Sequence, residues 1–301
     1  MFKILDVSKD VNDIYSMKIM APRVAKSIKP GQFIILRIDE KGERIPFSIC
    51  DYNIEEQSIT IIFKNSEEAS VKQLSNLKIG DSILDLAGPI GQASFFVHEN
   101  VDDLKEKNIL FVTDELSAAR VYPALSWLYK NNVASDVLVA FNSYKNIIFE
   151  DKIEDIAKNL IISTEDGSKG IKGTISTVLK NILDEDKKYD LIISIGSTEF
   201  MEKVCSVTKD YGIKTIVSLT TLMLDGIGMC GGCRLTIAGN IKFACQDGPE
   251  FDGHLVDFEE VKRRENFYSS YEAKLQYRKE HGVCNHSENE VTIGVEEDIH
   301  E

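Results

Sequence analysis

Short apolar runs broken by turn residues fill the first part of the chain. QFIILRI (32–38), SITIIF (58–63) and SILDLA (82–87) are rich in β-branched residues, and Pro-Gly-Gln at 30–32 and Ile-Gly-Asp at 79–81 punctuate them. Several short strands at this spacing predict a small antiparallel β-barrel over residues 1–98. From residue 99 the pattern changes. NILFVT (108–113), DVLVAF (136–141), LIISIG (191–196) and KTIVSL (214–219) are continuous apolar runs, as strands buried on both faces are. The helical segments AARVYPALSWLYKNN (118–132) and ISTVLKNILDEDKK (175–188) lie between them, so residues 99–220 are expected to form an α/β domain with a parallel sheet. Residues 221–256 are rich in Gly and Cys and read as a small clip around a metal. A charged helix is expected over 257–280, followed from about 285 by a tail with six acidic residues that reads as mobile. The expected architecture is therefore multidomain, with no internal repeat.

Composition narrows the function classes. The 301 residues are enough for two or three domains with real cores, and 43% hydrophobic with 28% charged residues is ordinary for a globular chain. A formal net charge of −14 argues against nucleic acid or an anionic membrane as partner, because the chain offers neither a basic footprint. No apolar run reaches the length of a membrane span, and MFKILDVSKDV does not read as a signal peptide. The chain is therefore expected to be cytoplasmic, where clustered Cys suggests metal binding before disulfides.

The cysteine pattern carries the chemistry. Asp225-Gly-Ile-Gly-Met-Cys230-Gly-Gly-Cys233 is followed, after eleven residues, by Cys245. Two thiolates two residues apart can grip one metal unit from a tight loop, and the four glycines of that loop expose N–H groups to sulfur. The spacing is that of plant-type [2Fe-2S] sites, with Asp225 in place of the first Cys. A zinc site of three Cys and the Asp, a CxxC redox pair, and a purely structural Gly-rich turn remain alternative readings. Cys50, Cys205 and Cys284 lack metal spacing; the first two read as core residues and the third as a tail thiol. Trp127 and Tyr129 read as core and rim.

The stretch TLMLDGIGMCGGCRLTIAGNIKFACQDGPEFDGHLVDFEEVKRR (221–264) resembles the C-terminal part of the flavin-containing small subunit of NADH-dependent reduced-ferredoxin:NADP oxidoreductase, also called a sulfide dehydrogenase subunit. That family is a cousin of the electron-transfer subunit of dihydroorotate dehydrogenase, within the ferredoxin-reductase superfamily. The resemblance covers roughly residues 1–265. In this family an Asp replaces one Cys ligand, so it implies a [2Fe-2S] cluster on Asp225, Cys230, Cys233 and Cys245. The CxDGPEFDGHLVD run points to this branch over the dihydroorotate branch, and His254 within it reads as a structural hydrogen-bonding residue.

The resemblance also implies FAD. Arg44-Ile-Pro46-Phe-Ser48 resembles the family's R-x-P-x-T/S motif, in which a fixed cation meets the flavin pyrophosphate, a hydroxyl reaches the flavin and Pro sets the strand. A second phosphate contact falls on Ser70 in Glu67-Glu68-Ala69-Ser70-Val71, where two carboxylates stand beside the position the family gives to a phosphate-binding turn. Gly88-Pro89-Ile90-Gly91 matches the family's barrel-closing turn.

NAD(P) is another matter. Where family members read close to V-G-G-G-V-G-I-A-P-V-Y-P, this chain has Val112-Thr-Asp114-Glu115-Leu-Ser117-Ala-Ala-Arg120-Val-Tyr-Pro123. All four glycines are gone, and two carboxylates have arrived where a pyrophosphate needs close, neutral backbone. The family's G-x-R reads Phe141-Asn142-Ser143, and its Gly-Pro reads Gly196-Ser197. Asp166-Gly167-Ser168 and Gly173 remain, as a turn and a helix start. The expected protein is an electron-transfer subunit of an oxidoreductase complex, rather than an autonomous NAD(P)-dependent reductase. It would relay electrons through [2Fe-2S] and FAD to or from a partner subunit in a hetero-oligomer, with ferredoxin a candidate partner. The alternatives are a conventional NAD(P)H-oxidising flavoprotein and a non-enzymatic redox-sensing or assembly adaptor.

Overall fold

A computed structural model describes residues 1–266 apart from Val11, Glu67, Glu68, Asp186 and Lys187. The carboxylates expected to crowd Ser70, most of the helix expected over 257–280, Cys284 and the acidic tail therefore lie outside the described residues. Residues Met1–Arg264 form one unit.

The barrel consists of β1 (Phe2–Lys9), β2 (Ile14–Met20), β3 (Phe33–Arg37), β4 (Ile45–Asn53), β5 (Ser58–Lys64), β6 (Ser82–Ile83) and β7 (Asp85–Ile90), with α1 (Pro22–Ser27) and α2 (Ala69–Ser75) between strands. Its sheet runs β6-β1-β2-β5-β4-β3-β7, with every pairing antiparallel. The run 82–87 is not one strand. It breaks at Leu84, whose N–H bonds Ile38 O at 3.0 Å, so β6 pairs with β1 and β7 with β3 and the two ends of the sheet are joined. Alternation decides what each strand buries. Ile34 and Leu36 of β3 enter the barrel core with Ile4, Met17, Ile19, Ile59 and Ile61, whereas Phe33 and Ile35 point out of it into a second core.

The α/β part contains α3 (Val101–Lys105), β8 (Ile109–Asp114), α4 (Ala118–Lys130), β9 (Ser135–Phe141), α5 (Glu150–Glu154), β10 (Asn159–Thr164), β11 (Ile171–Lys172), α6 (Ile175–Asp184), β12 (Leu191–Ile195), α7 (Thr198–Asp210) and β13 (Lys214–Ser218). The clip segment adds β14 (Arg234–Ile237), β15 (Asn240–Phe243), α8 (Ala244–Asp247), β16 (Glu250–Asp252) and then α9 (Phe258–Glu265). The sheet order β11-β10-β9-β8-β12-β13-β16 is parallel except for β16, which joins its edge antiparallel to β13. Leu110 and Val112 of β8 face one core, and Ile109 and Phe111 face the other. The first of these cores also holds Phe33 and Ile35 of the barrel and Cys233, Leu235 and Cys245 of the clip, so all three parts share it. Burying each large aliphatic side chain there contributes about 1.5–3 kcal/mol. Among the described residues no helix is long and apolar enough to cross a membrane.

Candidate functional site

The clip is built by a loop and a hairpin. The Asp225 carboxylate accepts hydrogen bonds from Ile227 N (3.0 Å) and Cys230 N (2.6 Å), which folds the loop back on itself. Gly226 takes φ +71° there, and a Cβ would sit 2.5 Å from Ile35 Cδ1, so the loop lies directly on β3 of the barrel. Between Cys233 and Cys245 run β14 and β15, paired from Arg234↔Phe243 to Ile237↔Asn240. This hairpin returns Cys245 to Cys233, and their sulfurs lie 3.2 Å apart, both buried. Backbone N–H groups face the sulfurs: Gly232 N donates to Cys230 Sγ at 3.4 Å, and the Gly228 amide favours the Cys245 thiolate. From α9, Arg264 Nη2 donates to Gly231 O (3.0 Å) and Gly232 O (3.1 Å) and pins the turn between Cys230 and Cys233.

The electrostatics divide these groups into two pairs. Burial opposes the charge of Asp225, but the amides of Ile227 and Cys230 and the Cys230 thiol outweigh it and hold its carboxyl below the usual range. Burial, and then the adjacent Cys233, push the Cys245 thiol up, so a metal must displace its proton on binding. Among the described residues no three His, Cys, Asp or Glu side chains converge as on a single metal ion. Asp225 with Cys230, and Cys233 with Cys245, form a carboxylate–thiol pair and a thiol–thiol pair on one loop system. A two-iron group, which shares four ligands between two metals, fits that donor set.

Beside the clip a cleft opens between barrel and α/β sheet. Pro46 and Ser48 line it from β4, in register with Ile35 and Phe33 of β3. Ile45 and Phe47 pack against the barrel core. Arg44 is exposed just before β4. Ser70, on α2, is buried and donates to Glu43 Oε2 at 2.8 Å, which ties that helix to the residue preceding Arg44 and commits the hydroxyl. The opposite wall carries Arg120, Thr220, Thr221 and Met223, and Thr221 Oγ1 is buried with no hydrogen-bond partner. A slot with apolar walls and an open buried hydroxyl fits a flavin ring.

Glu250 closes the cleft at the edge strand β16. Ser94 Oγ donates to its Oε1 at 2.5 Å and Phe95 N to its Oε2 at 3.4 Å, and burial raises its carboxyl above the usual range. A carboxyl raised on folding binds its proton more tightly in the native state, so its ionisation lowers stability as pH rises through and above the ordinary carboxylate range. Glu250→Gln removes the charge and mimics the protonated carboxyl: its one amide oxygen can still accept from Ser94 Oγ, while the longer bond from Phe95 N is given up. We expect it to melt higher than the parent at neutral pH and to converge with it in acid, in thermal melts across pH.

The crevice beyond the carboxyl ends of β8, β9 and β12 is lined by Asp114, Glu115, Asn142 and Ser197. This is the topological switch point where open α/β sheets bind nucleotides. Asp114 Oδ2 accepts from Ser197 N, at the head of α7, at 2.7 Å. Glu115 Oε1 accepts from Asn142 N (3.1 Å) and Asn146 Nδ2 (2.7 Å). The chain's own carboxylates thus hold amides that a phosphate would use. Asp166 Oδ1 accepts from Ser168 N at 2.9 Å in a turn with Gly167 at φ +76°. His254 Nε2 lies 2.9 Å from Thr208 Oγ1, and Cys50 and Cys205 are buried.

Three residues of these sites escaped the sequence reading: Arg120, Glu250 and Arg264. Glu250 and Arg264 stood inside the resembling stretch, and Arg120 stands where family members have Pro; periodicity marked none of them.

Comparisons with known proteins agree with this geometry. The iron–sulfur cluster binding domain of dihydroorotate dehydrogenase B matches residues 220–257, the clip. A Clostridium beijerinckii protein described only as uncharacterized, in the adh 3' region, is 46% identical over 94% of this chain and 95% of its own length. A Thermotoga maritima homologue of the dihydroorotate dehydrogenase B (NAD(+)) electron transfer subunit is 36% identical over 90% of this chain and 92% of its own. The structure of NADH-dependent reduced ferredoxin-NADP oxidoreductase, solved for insight into flavin-based electron bifurcation, superposes with a TM-score of 0.83 at 33% identity, covering 93% of this chain and 97% of that one. The chain belongs to the family of dihydroorotate dehydrogenase B electron transfer subunits and their homologues.

Proposed function

We propose that this chain is the electron-transfer subunit of a cytoplasmic oxidoreductase complex, relaying electrons through [2Fe-2S] and FAD to or from a partner subunit, with ferredoxin as a candidate acceptor or donor. Residues 1–98 hold the flavin, 221–256 hold the cluster, and 99–220 keep a nucleotide-domain fold without its nucleotide. One observation carries the relay: Thr221 and Met223 line the flavin cleft, Asp225 follows two residues later, and its loop packs on Ile35 of the barrel. The two sites are thus neighbours in chain and in space.

Asp225 and Cys230 are assigned to one iron, and Cys233 and Cys245 to the other. Gly228 and Gly232 direct N–H groups at the sulfurs, and Arg264 holds the turn. Arg44 faces the flavin pyrophosphate from the solvent side, while Pro46 and Ser48 position the ring in the cleft. Ser70, assigned by motif to the same phosphate, is tied through its hydroxyl to Glu43, the neighbour of Arg44. When bound, the cofactors supply one- and two-electron transfer; the protein supplies placement, exclusion of water and electrostatics.

Direct NAD(P) binding is lost in this reading, because Asp114 and Glu115 hold Ser197 N and Asn142 N and bring negative charge to the pyrophosphate position. The experiment is to add NADH or NADPH anaerobically to the isolated, cofactor-replete subunit. We expect no bleaching of flavin or cluster absorbance at micromolar nucleotide. Rapid bleaching by either nucleotide would restore a conventional reductase.

A further inference from the structure

The flavin cleft contains a cation that the relay reading does not use. Arg120, on α4, lines the cleft together with Pro46 and Ser48. Its Nη2 donates to Thr220 Oγ1 at 2.8 Å across the cleft wall. A guanidinium stays charged in proteins and offers five N–H donors. This one is desolvated enough that burial lowers its pKa, which Asp114 offsets only in part. No carboxylate among the described residues lies within ion-pair distance of it, and the Asp114 carboxylate accepts from Ser197 N. Cys50 behind it is no counter-charge, because burial pushes its thiol up to about 12. The other groups of the cleft do not pair with it either: Glu250 spends its two oxygens on Ser94 Oγ and Phe95 N, and Lys29 is an exposed cation. A desolvated charge without a partner is costly unless something negative meets it.

We propose that Arg120 is a positioning residue whose charge stabilises reduced, anionic FAD in this cleft. This rests on the flavin assignment above. The balance is FAD + 2 e⁻ + H⁺ → FADH⁻, with the electrons from dithionite in the test and from the partner in the complex. Oxidised FAD carries no charge on its ring, whereas the reduced ring carries one negative charge, so a half-buried cation lining the slot favours the product of reduction. Such a subunit holds electrons more tightly than its fold alone would.

The test compares FAD content and flavin midpoint potential in the parent, Arg120→Gln, Arg120→Lys and Thr220→Val proteins. Arg120→Gln should lower the potential. The expected loss is at least tenfold in preference for the reduced form, about 30 mV for a two-electron couple. Arg120→Lys should restore most of it, and Thr220→Val, which removes only the hydrogen bond, should change it little. Where a variant loses FAD, the dissociation constants of oxidised and dithionite-reduced FAD carry the same comparison: the reduced form should weaken at least tenfold more. An unchanged potential at full occupancy, or equal weakening of both forms, overturns the proposal. Absence of FAD from the parent protein would instead overturn the flavin assignment itself.

Discussion

Replacing Cys233 with Ser is expected to strip the iron–sulfur group from the chain while leaving the barrel folded. Cys233 is 1% exposed, in the core shared by barrel, α/β sheet and clip, and its sulfur lies 3.2 Å from that of Cys245. An alkoxide is a far poorer iron ligand than a thiolate, and the cost of deprotonating a buried serine exceeds that of the thiol it replaces. Iron retention should fall at least about tenfold, since even outer-shell changes at metal sites cost 10–100-fold. The rhombic electron paramagnetic resonance signal of the reduced protein should vanish or change character. Metal analysis and the spectrum of anaerobically purified protein check it; parental iron content with an unaltered signal would remove Cys233 from the ligand set. FAD content separates cluster loss from unfolding, because the flavin residues on β4 belong to the barrel.

Arg44→Ala should release flavin without disturbing the cluster. Arg44 is exposed ahead of β4, two and four residues before Pro46 and Ser48 of the cleft. A charge-assisted contact to a phosphate contributes about 1.5–3 kcal/mol, so FAD affinity should drop roughly 10- to 150-fold. Iron content should remain parental. Fluorescence titration of FAD into the deflavinated protein gives the number, and an unchanged dissociation constant would place the pyrophosphate elsewhere. Arg44→Lys keeps the charge but not the planar fork, and should fall between parent and Ala.

Much of the architecture was legible before any coordinates. Short β-branched runs punctuated by turn residues mark the barrel, and continuous apolar runs alternating with helical segments mark the parallel sheet, because strands buried on both faces need apolar side chains throughout. The spacing of Asp225, Cys230, Cys233 and Cys245 named the clip because one loop must hold close ligands, and local spacing is a local constraint. Asp114 and Glu115 likewise announced an altered crevice, since neither the glycines' conformations nor their lack of charge can be supplied by carboxylates.

Other features belong to tertiary structure alone. The break of 82–87 at Leu84 follows from joining the ends of one sheet, which no single run of residues encodes. The attachment of β16 to the α/β sheet depends on β13, more than thirty residues earlier in the chain. Arg120 meets Thr220 across 100 residues, Ser94 meets Glu250 across 156, and Arg264 reaches Gly231 across 33. Each is an ordinary charged or polar residue in its own neighbourhood, and only burial against a distant segment turns it into an unpaired cation, a raised carboxyl or a clamp. Local pattern is set by the energetics of single elements, whereas charge, burial and partner are set by which elements the fold brings together.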